Sequence, residues 1–187
     1  MILDLSKGSA EGFVVIRDGI TKEILVEQQN AVHFGNLSAA IAMALAGDAD
    51  GHITYVAFGN GATSITALGT IFYRTPNVSL LRDETAALYN ETYQKDVSVG
   101  TDENNVSVVL SNVNYADVKV TVTLGFGEPA DQDLIDNATN NDGDYVFDEM
   151  GLKTADGLLL THIVFHPVQK ALNRIIEVEY TLRIQMG

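Results

Sequence analysis

The chain has no cysteine, which excludes disulfide staples and thiolate metal sites and leaves the redox compartment unmarked. It has no apolar run near the ~18 residues that a membrane-crossing helix needs. Met1-Ile-Leu-Asp-Leu-Ser-Lys7 lacks the basic-then-apolar pattern of a signal peptide, so the expectation is a soluble protein made in a cytoplasm. Prolines number only 3, so little in the sequence blunts exposed strand edges. Cations are also scarce. There are 11 Lys and Arg against 25 Asp and Glu, for a net charge of −14. From Asp96 to Asp156 the 13 acidic residues face only Lys119 and Lys153. So negative a surface repels phosphate backbones, and nucleic-acid binding is not expected.

What is present is strand pattern. At 187 residues and 46% hydrophobic content the chain suits a single domain with a real core. Ile176, Val178, Tyr180, Leu182, Ile184 and Met186 alternate with Glu177, Glu179, Thr181, Arg183 and Gln185. Successive strand side chains point to opposite faces, so this pattern predicts a half-buried strand with Val178, Tyr180 and Leu182 inside. Leu158–Phe165 reads as a second strand, stopped by Pro167, and Tyr145–Met150 as a third. Three such strands are about the minimum for a sheet. Val118 to Phe126 shows the same alternation, and Thr92–Val97 and Val106–Leu110 read as further strands. Phe13–Arg17 and Glu23–Glu27 flank an Asp18-Gly19 turn signal and predict a hairpin. Ile53–Phe58 is another strand. One helix is expected over residues 36–47, capped by Asn36 or Ser38 and stopped by Gly47, with Ile41 and Leu45 on the sheet. Residues 68–91 are weakly periodic, with Leu80–Tyr89 a helical turn or a docked loop. The fold class is therefore mainly β, sandwich-like and antiparallel, with one short helix. The single domain 1–187 divides into a hairpin region 1–30, the helix, and a main β core at 92–187.

Constellations with chemical potential are few. His162 and His166 share a strand face, but four residues at ~3.3 Å each hold them ~13 Å apart, too far for one ion with ~2 Å bonds. They read as ordinary strand histidines. Gly59-Asn60-Gly61 follows a strand yet matches neither nucleotide fingerprint, and reads as a turn. Asp131, Asp133, Asp136, Asn140, Asp142 and Asp144 offer oxygen ligands of the kind calcium takes, with Asp136, Asp142 and Asp144 the leading candidates. The loop glycine and closing glutamate of an EF-hand are out of place, so a solvated acidic loop is the preferred reading. No Gly-x-Ser-x-Gly elbow is present, and nothing singles out a carboxylate pair in a cleft. The expectation is a non-enzyme without a cofactor.

Three stretches carry a resemblance. They are Asn30-Ala-Val-His33 with the small-residue helix and Ile53–Thr63; Leu88-Tyr-Asn-Glu91 leading into a strand; and Phe147-Asp-Glu-Met-Gly-Leu152 followed by Gly157–Lys170 and the closing strand. Together they resemble virion structural proteins of tailed bacteriophages. The resemblance covers most of the chain and its motifs are structural. It implies a β-rich subunit of a symmetric assembly in the neck, tail or baseplate, or else a capsid decoration protein. Its partners would be copies of itself and other virion proteins, with no nucleic acid and no membrane. It would reside in the virion, assembled in the host bacterial cytoplasm. Arg17, Lys22, Arg74, Arg82 and Lys95 are the candidates for receiving a neighbour's acidic loop. A calcium- or glycan-binding β-sandwich module of a fibre is the alternative from another class, and an enzyme acting on cell-wall polymer a third.

Overall fold

The structure, a computed structural model, describes residues 8–100, 103–111, 113–130 and 145–186. In chain order the strands are β1 (Gly8–Asp18), β2 (Ile24–Val32), β3 (Ile53–Gly59), β4 (Thr63–Ile65), β5 (Ile71–Tyr73), β6 (Glu91–Asp96), β7 (Asn105–Leu110), β8 (Tyr115–Leu124), β9 (Val146–Thr154), β10 (Thr161–Gln169) and β11 (Ile176–Met186), with helix α1 (Phe34–Leu45) after β2. Nine strands form one sheet in the order β6-β3-β9-β10-β2-β1-β11-β8-β7, and β4 and β5 pair apart from it as a hairpin arm. The fold is mainly β and antiparallel. The sheet curls until its two halves face each other across one core, sandwich-like. Beyond its two outermost strands the ends meet, where Ser98 bridges Asn105.

The chemistry of the regular half is simple. β1, β8 and β11 form long antiparallel ladders in continuous register, from Gly8↔Met186 to Asp18↔Ile176 and from Ile176↔Leu124 to Gln185↔Tyr115. Val14, Ile16, Val120, Val122, Val178, Tyr180 and Leu182 are buried on the inner face, as the alternation requires. Fully burying one such aliphatic side chain is worth ~1.5–3 kcal/mol before cavity effects. Glu179 is exposed, and Glu177 and Arg183 are half-buried on the outer face.

Several expectations are corrected. The core is not confined to the C-terminal half, because Val14, Val26, Val56 and Phe58 belong to the same buried cluster as Phe147 and Tyr180. β10 pairs with β9, but β2 and β1 lie between β10 and β11. The strands nearest the termini sit inside the sheet, and its outermost strands are β6 and β7. Pro167 does not end β10. It lies where the β9–β10 register shifts between Val164 and Val168, a bulge that tolerates its missing N–H. The helix starts earlier than Asn36 suggests. His33 is its cap, accepting the Asn36 N–H at Nδ1 (3.2 Å), while the Ser38 hydroxyl donates back to the Phe34 carbonyl. Asn36, Leu37 and Ala40 are the buried helix residues, Ile41 packs on the core, and Leu45, expected on the sheet, is 85% exposed. Gly47 ends the helix at φ 80°, as expected.

Candidate functional site: a hairpin arm rooted on buried carboxylates

β9 is the strand that departs from alternation. Phe147 and Met150 both enter the core, so the two residues between them lie together on the other side, opposite the β10 bulge. Those residues are Asp148 and Glu149, both buried. A buried charge is tolerated only when its oxygens are hydrogen-bonded, and here backbone amides supply the bonds. Asp148 accepts from the amides of Ala62 (3.0 Å) and Thr63 (2.7 Å) and from the Thr63 hydroxyl. Glu149 accepts from the amides of Gly61 (3.0 Å), Asn90 (2.8 Å) and Tyr89 (2.9 Å). Its Oε2 also meets His162 Nε2 at 2.9 Å. His162 Nδ1 accepts the Asn77 N–H at 2.8 Å, so the ring proton sits on Nε2 and is donated to Glu149.

The two carboxyls shift in opposite directions. Burial pushes Asp148 above the usual carboxylate range, and its three donors only partly offset that. Burial also pushes Glu149 upward, but the His162 bond and three amide bonds outweigh it and hold its pKa below the ordinary value. Glu149 is thus a buried anion clamped from four sides, while Asp148 is more easily protonated.

These bonds determine what the loops do. The Gly59-Asn60-Gly61 turn lies against the 89–90 segment so closely that a Cβ on Gly61 would stand 2.6 Å from the Asn90 nitrogen. Glycine is required there for backbone approach. Immediately beyond, the chain rises into the β4–β5 arm, Thr63–Tyr73, whose register runs from Thr63↔Tyr73 to Ile65↔Ile71. The arm returns through the Arg74 amide on the Ala62 carbonyl (2.8 Å) and the Tyr73 hydroxyl against His166 Nδ1 (3.2 Å). The 75–90 segment docks as a loop rather than a helix. Ala86 and Leu88 pack on Ala57 and Leu159, and Asn36 bonds Asp83 and Leu159. The arm has no comparable packing. Leu68 is 94% exposed and Phe72 58%, and Ile65 and Tyr73 are also exposed.

A second feature is an open apolar recess that no residue of the arm lines. An apolar groove of about 340 Å³ lies between α1 and the inner faces of β7, β8 and β11, lined in part by Leu37, Ile41, Ala44, Val108, Leu182 and Ile184. Val108 and Leu110 on β7, the last strand in the sheet order, are exposed.

The five cations expected to receive a neighbour's acidic loop all have partners within the chain. Arg17 pairs with Glu179 (2.9 Å), Lys22 with Glu177 (2.6 Å), Arg82 with Glu84 (2.6 Å) and Lys95 with Glu128, while Arg74 stacks over the Tyr89 ring at 4.7 Å. A neighbour's carboxylate would have to displace those contacts. Asp136, Asp142 and Asp144 lie outside the described residues. The motif lysine Lys170 is fully buried, and burial pushes its amine down to about 8 despite the pull of Glu128. Among the described residues no helix is long and apolar enough to cross a membrane.

Reading from sequence missed Asp148, Glu149 and the arm. The only available signal for the arm was the pair of short β-branched or aromatic runs, Thr63–Ile65 and Ile71–Tyr73, around Gly69 at φ 81°. No family model, curated protein or solved structure matches the chain.

Proposed function

We propose that the chain is a non-enzymatic structural subunit of a tailed-bacteriophage virion, in the neck, tail or baseplate, with a capsid decoration protein as the nearest alternative. The observation that carries this reading is the arm. A two-stranded hairpin is marginal on its own, and this one has buried carboxylates fixing its root while its apolar tip faces solvent. Holding an apolar projection in a set direction suits docking against another protein surface. The resemblance of Phe147–Leu152 and Gly157–Lys170 to virion structural proteins points the same way. The first of these stretches supplies the carboxylates that hold the arm, and the second supplies His162 and His166. The test is immunogold labelling of intact particles of the encoding phage with antibodies against the chain. Label at a fixed position on the particle is expected. Label confined to soluble lysate, with clean particles, would contradict the reading.

A further inference from the structure

The arm's sequence, Thr63-Ser-Ile-Thr-Ala-Leu-Gly-Thr-Ile-Phe-Tyr73, holds no charged residue in a chain of net charge −14. The groove is likewise lined by residues without formal charge, and α1, which forms one wall, has no charged residue from Phe34 to Leu45. The two features occupy different places. The arm is rooted on β9, with β4 lying beside β10, and no arm residue lines the groove.

We propose that the occupant of the groove is the β4–β5 arm of a second copy of this chain, docked head to tail. Two copies that each carry −14 repel where acidic surfaces face each other, so a contact between surfaces that bring no carboxylate avoids that cost. The arm tip and the groove are two such surfaces, and they complement each other as projection and recess. The groove's size falls within the ~300–1,000 Å³ of small-ligand pockets, which suits side chains such as Leu68 and Phe72 rather than a folded element. Docked one way, head to tail, the contact is heterologous and propagates into a ring if the rotation closes or a filament if it does not. The inference rests on the assembly reading above and adds the contact that would build the assembly.

The test uses full-length chain in mass photometry and analytical ultracentrifugation over a concentration series. Leu68→Asp with Phe72→Ser disables the arm. Ala44→Glu with Val108→Glu disables the groove. All four positions are exposed, so unchanged thermal melts should show that the fold is kept. Wild-type chain is expected to form oligomers, and each double variant alone to weaken association at least ~100-fold. An equimolar mixture of the two should yield heterodimers and nothing larger, since it contains one intact arm–groove contact per pair. Variants that assemble like wild type, or a mixture that stays monomeric while wild type assembles, would overturn the docking and leave the virion reading standing. A wild-type chain that remains monomeric throughout would overturn the docking as well, and the immunogold result then decides the virion reading separately.

Discussion

The two halves of the sheet solve the same problem by different means. In β1, β11 and β8 every second side chain is apolar and inward, the ladders run without interruption, and acidic residues such as Glu177 and Glu179 sit outside with Lys22 and Arg17. In β9 and β10 alternation breaks at a bulge, and two acidic residues are buried to hold loop backbone, including the root of an arm with little packing of its own. Glutamates therefore have opposite worth in the two halves. On β11 they are decoration on a stable ladder. On β9 one of them is the structure's means of fixing loop backbone.

The sharpest way to break that comparison is to remove one glutamate from each half. Glu149→Ala leaves three amides and His162 without their acceptor and should cost about 3–5 kcal/mol, the range for breaking a buried charged partnership. Glu179→Ala removes an exposed pair with Arg17 and should change stability by no more than about 1 kcal/mol. Chemical denaturation of both variants measures the contrast, and equal losses would refute it.

Leu182→Ala probes the regular half at its own core. Its buried side chain predicts a loss of about 2–5 kcal/mol in the same assay, with no change in the arm's susceptibility to protease. Asp148→Asn keeps an acceptor oxygen but weakens the arm's root. A loss of about 1–3 kcal/mol is expected, now with faster cleavage between Ile65 and Phe72. The two variants thus separate global stability from local anchoring.

Acid and base act differently on two of the buried charged residues, Glu149 and Lys170. Glu149 has a folded pKa below its ordinary 4.5, so its contribution is present above that value and is lost as pH falls through the lowered pKa. Lys170 is the reverse case. Its folded pKa of about 8 lies below the ordinary 10.5, so the unfolded chain binds more protons between those values and stability rises with pH across that window. Lys170→Met should remove that part of the rise, measured as the difference between the two pH profiles. Identical profiles would contradict the assignment. Smallest of all, Tyr180→Phe should be within about 0.5 kcal/mol of neutral or slightly stabilising, because the buried hydroxyl has no well-formed hydrogen bond to lose.

How much of this could be read from residues alone follows from the same contrast. The β11 and β8 alternations are local signals, and period two located both strands and their buried faces. The helix was visible through its alanines and Gly47, but its start was not, since a histidine takes the place of the usual capping residues. Tyr145–Met150 was recognisable as part of a strand. That its two acidic residues are buried was not, because their partners are backbone amides 59 to 88 residues away in sequence. Backbone N–H groups carry no side-chain signature, so nothing at Gly61, Ala62 or Tyr89 announces the contact. The arm escaped notice for a related reason. Its three-residue strands are too short for periodicity to register.

Native-state hydrogen exchange at the amides of Gly61, Ala62, Thr63, Tyr89 and Asn90 tests the central claim, that β9 carboxylates fix the loops and the root of the arm. These five amides should exchange as slowly as ladder amides of β9, and Glu149→Ala should release Gly61, Tyr89 and Asn90 while the β1–β11 ladder keeps its protection. If the five exchange at the rate of open loops in the wild-type chain, the carboxylates are not holding them and the account fails.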